Sequence, residues 1–145
     1  VTLQALLDAR WTDVLSNLGT LWEPPEIAWG YGESEHFSSA RGYATTLVHS
    51  PTRFYLNFST KADTASLERL DALVRHELGH VVDYSTERRA LDAWASGRGV
   101  RLSETTERRA DDICEALWGV PIFYDKEDVQ TLRPGVSPRP ARLGL

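Results

Sequence analysis

The sequence predicts an α+β domain: an N-terminal helix, a small three-stranded mixed or antiparallel sheet, then further helices. Three observations lead there. Apolar residues recur at helical spacing over the first eighteen positions, and short aromatic and β-branched runs broken by Gly, Ser and Pro occupy 26–58. Helical spacing then returns from about residue 64 onward. A chain of 145 residues, 41% of them hydrophobic, suits one core, so a single domain is expected over 1–132. The Pro- and Arg-containing segment 133–145 is expected to be a flexible tail.

Each element has its own local cause. Leu3, Leu6, Leu7, Trp11, Val14, Leu15 and Leu18 form one stripe of a first helix, with Gly19 as its stop. Strands are expected at 26–30, 41–49 and 53–58, the last two joined as a hairpin through Ser50-Pro51-Thr52. With Asp63 or Thr64 as N-cap, Leu67, Leu70, Leu73, Val74, Leu78 and Val81 then lay out a long helix. A shorter helix at about 86–96 ends at "SGRG". Another at about 104–118 stops before Gly119 and Pro121, and a last turn or helix is expected at 125–132.

Bulk composition removes several function classes. A formal net charge of −5 gives little support to electrostatic binding of nucleic acid or of an anionic membrane. The pairs Arg88/Arg89 and Arg108/Arg109 read as solvated helix faces balancing acidic neighbours, as do Glu104 and Glu115. The single cysteine, Cys114, rules out an intrachain disulfide and a cysteine-rich zinc site, so any metal must be held by His, Asp or Glu. The first twenty residues hold neither a signal-peptide core nor a spanning run, and a cytoplasmic location is the expectation.

The long helix carries "VRHELGH" at 74–80. Residues four apart share a helix face, so His76 and His80 can aim their imidazoles at one ion. Glu77 lies beside that face, placed to reach a water on the ion without displacing it. This is the His-Glu-x-x-His signature of zincins. With four histidines and eleven glutamates in the chain, accidental matches are expected on the order of one in a hundred sequences of this composition.

A catalytic zinc site normally takes three protein ligands and leaves a fourth position open. Asp83 continues the same face, but one turn beyond His80 on a rigid helix it is badly placed to close the shell, and it reads as a solvated or supporting carboxylate. The repeated patterns "TERRALD" and "TERRADD" supply two rival glutamates, Glu87 and Glu107. Glu87 has seven residues in which to return to the metal, and Glu107 has 27. Glu107 also opens a mostly apolar stripe through Ala110, Cys114, Leu117 and Trp118, where a carboxylate needs a cation. Asp111, one turn on, is placed to accept a hydrogen bond from a ligand histidine. Glu107 is therefore the preferred third ligand, with Glu87 as its rival.

Together, "RHELGHVVD" and "ETTERRADDICEALWGVP" resemble the ImmA/IrrE-like metallopeptidases, gluzincin-type enzymes whose His-Glu-x-x-His helix is completed by a glutamate from a later helix. In that family the later helix reads roughly Glu-x-x-Ala-Asn and an apolar run ending near a proline. Glu107, Ala110, Asp111 and Pro121 match in order, with Asp111 in the Asn position. "RFYLNFST" resembles the family's strand before the active-site helix, and the likeness covers about residues 41–122. No histidine follows His80, which separates the chain from SprT-like proteases.

The resemblance implies a zincin-like fold and one zinc ion on His76, His80 and Glu107, with Asp111 supporting a ligand. It further implies hydrolysis of a protein or peptide substrate, a regulatory protein among the candidates, with Glu77 as general base. By fold analogy, strand 53–58 is expected at a sheet edge beside the cleft, where an extended peptide can add as a further strand. His36, His49, Tyr43, Tyr84 and Tyr124 are candidates for a second oxyanion donor. The alternative reading is a non-catalytic, zinc-stabilised module that keeps a zincin scaffold for binding another protein.

Overall fold

A computed structural model describes residues 2–31, 44–59 and 65–119. The expected last turn at 125–132, the tail, and the cap candidates Asp63 and Thr64 lie outside the described residues. Within them the architecture is α+β, with four helices and one three-stranded mixed sheet.

Helix α1 spans Leu3–Leu18 and begins where the Thr2 side chain accepts a hydrogen bond from the Ala5 amide, satisfying one of the unpaired first-turn donors. Its stripe of Leu3, Leu7, Val14 and Leu18 is buried, as the spacing predicts.

Strands β1 (Glu26–Tyr31), β2 (Ala44–Ser50) and β3 (Arg53–Phe58) pair in the order β1-β3-β2, β1 parallel and β2 antiparallel to β3. The β2–β3 hairpin forms as expected, with a register shift between Val48 and Ser50. Strand β3 is the central strand, not an edge. The parallel pairing of β1 with β3 occupies the side of β3 that a bound peptide would need, so the expected docking edge at 53–58 is corrected. Among the described residues the outer strands are β1 and β2.

The side chains of Ala44, Thr46 and Val48 stand opposite Phe58, Leu56 and Phe54 on one sheet face, since residues two apart point the same way. Ala44, Phe54, Leu56 and Phe58 join Leu3, Leu7, Leu73, Val74, Leu78 and Val81 in the core beneath the sheet. Thr46 is the polar exception on that face, and it is fully buried.

Helix α2 spans Leu67–Ser85 and is capped by Ser66, whose side chain accepts from the Arg69 amide. The helix thus starts a few residues later than the sequence predicts, because Ser66 does what Asp63 or Thr64 was expected to do. Helix α3 covers Arg88–Gly97 and α4 covers Thr106–Trp118. Gly119 ends α4 at φ 77°, a left-handed conformation that glycine adopts without a Cβ penalty.

Helix α1 is tied to its neighbours by polar contacts. Arg10 donates to both carboxylate oxygens of Asp71, at 2.7 and 2.9 Å, and the Trp118 indole donates to Asp13 at 2.8 Å. No helix among the described residues is long and apolar enough to cross a membrane.

Candidate metal centre

Helices α2 and α4 pack closely because α2 carries Gly79 at the crossing. A Cβ built there would lie 2.6 Å from the Ala110 carbonyl oxygen and 3.1 Å from Cys114 Sγ. Ala110 and Cys114 are the small residues facing it, and the Cys114 thiol donates to the Arg75 carbonyl at 2.9 Å. Burial pushes that thiol well above its ordinary pKa, so Cys114 acts as a small core residue rather than a nucleophile or ligand.

The crossing brings one turn of α4 against one turn of α2. His76 Nε2 lies 3.1 Å from His80 Nε2 and 2.9 Å from Glu107 Oε1, and His80 Nε2 lies 3.5 Å from the same oxygen. Both histidines are fully buried, while the Glu107 side chain keeps 22% exposure. On the far side of the His76 ring, Nδ1 is 2.6 Å from Asp111 Oδ1. With a cation between the three groups, Asp111 would accept from Nδ1–H and leave the Nε2 lone pair to that cation.

This donor set fits a divalent cation. Three ligands of one ion held at about 2.0–2.2 Å stand roughly 2.8–3.6 Å apart, from octahedral to tetrahedral geometry, and the three separations here fall within that range. Two imidazoles and a carboxylate this close together are also costly to bury unless something positive gathers their lone pairs. His76, His80 and Glu107 form a group that could hold a metal ion.

A search of family models, curated proteins and solved structures finds no match to this chain.

Glu87, the rival third ligand, lies elsewhere. It is exposed and caps α3, accepting from the amides of Arg89 and Ala90 at 3.1 and 2.9 Å. Those two backbone hydrogen bonds hold its carboxyl below the usual glutamate value. The two similar "TERRA" segments thus end in different roles. One glutamate sits at the N-cap of its helix, and the other lies inside the first turn, facing α2.

Asp83 is neither ligand nor solvated. It accepts from Arg109 Nε at 2.6 Å and is only 13% exposed at its side chain. Burial pushes the Asp83 carboxyl up, against the lowering effect of the Arg109 hydrogen bond and charge. Arg109 itself is 2% exposed, which corrects its reading as a solvated residue. It is drawn inward because Asp83 on α2 and Asp92 on α3, at 2.9 Å, both reach its guanidinium. Arg88 stays at the surface beside Glu104, as expected.

Glu77 is fully buried, and its Oε1 accepts a hydrogen bond from the Thr46 hydroxyl at 2.7 Å. In the sequence Thr46 reads only as a good strand residue. A hydroxyl two residues from Ala44 and two from Val48, on the face those apolar residues share, is the available signal. Among the suggested oxyanion donors, His49 is exposed near the hairpin turn, and Tyr84 stacks its ring on His80 with centroids 6.1 Å apart. His36, Tyr43 and Tyr124 lie outside the described residues.

Proposed function

We propose that the chain is a zinc-dependent peptidase of the gluzincin type, similar to the ImmA/IrrE-like enzymes, with a zincin-like arrangement of its site. The observation that carries this reading is the convergence of His76 Nε2, His80 Nε2 and Glu107 Oε1 from two helices, with Glu77 directly after the first histidine. His76, His80 and Glu107 would hold one zinc ion. Such an ion supplies Lewis acidity, lowering the pKa of a water to about 7 and polarising a peptide carbonyl.

The chain's own groups do the rest. Asp111 keeps the His76 proton on Nδ1, so that Nε2 stays a donor of electrons. Glu77 accepts the proton of the attacking water and returns it to the leaving amine. Strand β2 packs against α2 and is an outer strand among the described residues, so it replaces β3 as the place for an extended peptide to add.

The complete burial of Glu77 favours one other reading, a zinc-stabilised module that binds a partner without cleaving it. Glu77→Gln separates the two. With zinc-loaded protein and a mixture of quenched fluorescent peptides, the variant is expected to keep its zinc and lose about 10²–10⁴-fold in cleavage rate. Wild-type protein that binds zinc and cleaves nothing would leave the binding module as the better account.

A further inference from the structure

We propose that Thr46 is a positioning residue that helps fix the orientation of the Glu77 carboxylate from strand β2, a role that rests on the peptidase reading. A glutamate side chain has three torsions, and the last of them is broad and weakly restrained. A general base that must meet one water in one direction needs that torsion held. Helix α2 fixes only the Glu77 backbone.

One restraint on the side chain comes from β2. Thr46 is fully buried, its χ1 is stiffened by β-branching, and its strand is locked by pairing with Leu56 of β3. Its hydroxyl donates to Glu77 Oε1 at 2.7 Å, a separation typical of a strong bond to a carboxylate. The Glu77 carbonyl oxygen lies further off, at 3.5 Å, so the carboxylate is the principal acceptor.

The sheet face around Thr46 is otherwise apolar, formed by Ala44, Val48, Phe54, Leu56 and Phe58. Valine would fill nearly the same space without a hydroxyl to desolvate. A hydroxyl kept there, and spent on the carboxylate of the residue that follows His76, points to a task for that bond beyond packing.

The test compares wild type with Thr46→Val and Thr46→Ser, all zinc-loaded. It measures zinc affinity by chelator competition, kcat and KM on a quenched fluorescent peptide, and the Glu77 side-chain orientation in crystals. Thr46→Val is expected to hold zinc with an affinity within about 2-fold of wild type and to keep KM. Its kcat should fall about 10–100-fold, with Glu77 adopting more than one orientation. Thr46→Ser should recover most of kcat.

Wild-type kcat in Thr46→Val, beside a wild type that cleaves, overturns this role and leaves the peptidase reading standing. Loss of zinc affinity in Thr46→Val, or no recovery in Thr46→Ser, assigns Thr46 to structure alone and also overturns it. A wild type that binds no zinc or cleaves nothing overturns the peptidase reading and this role with it.

Discussion

Asp111 sets the state of the site at the scale of single residues. Its oxygen, 2.6 Å from His76 Nδ1, favours the tautomer protonated there, the one that would leave Nε2 to a cation. Asp111→Ala is expected to weaken zinc binding about 10–100-fold, while Asp111→Asn, which keeps an accepting oxygen, should lose far less. Chelator competition with a zinc indicator measures both. Equal affinity in Asp111→Ala would mean that the His76 ring is held by other contacts.

The same scale shows what local sequence can carry. His76, Glu77 and His80 are legible because a four-residue helical step is a property of the segment itself. Glu107 is legible for a related reason: its own helix offers an apolar stripe on which a lone carboxylate needs a counter-charge. Thr46 is not legible. Its acceptor lies 31 positions away on α2, brought to β2 by packing that no nearby residue specifies. Arg109 is illegible for a similar reason, since Asp83 and Asp92 reach it from two other helices.

Between elements, the decisive contact is the crossing of α2 and α4 at Gly79. Their backbones come so close there that a single methyl group would meet the Ala110 carbonyl. Gly79→Ala must therefore push α4 away, and α4 is the helix that brings Glu107 and Asp111 to His76. Overpacking of this kind costs about 1–3 kcal/mol. The variant is expected to lose zinc affinity as well as melting temperature, read by chelator competition and thermal unfolding. A variant with lowered melting temperature and unchanged zinc affinity would show that the helices separate without disturbing the ligands. Element positions were legible to within a few residues, whereas strand order was not. That β3 is central follows from its parallel pairing with β1, a long-range choice that leaves no periodic mark in either strand.

For the whole molecule, the fold is an arrangement that holds one turn of α2 between a strand and a second helix. Strand β2 reaches Glu77 through Thr46, and α4 reaches His76 through Glu107 and Asp111. Arg109 binds α4 to α2 and α3 on another side. An ion bound by ligands from both α2 and α4 binds the folded chain only. It must then stabilise that state by about 2.7 kcal/mol at a free concentration 100-fold above its Kd. The α+β order of elements was open to sequence reading; this three-sided enclosure was not, because each side is contributed by a distant part of the chain.

The most direct test is the metal content of purified protein after loading with zinc and removal of loosely bound ions, measured for wild type beside Glu107→Ala. One zinc per chain in the wild type, with tight binding lost in Glu107→Ala, is the expected result. A wild type that retains no ion, one that retains iron in preference to zinc, or a Glu107→Ala protein that holds zinc as tightly as wild type would contradict the account.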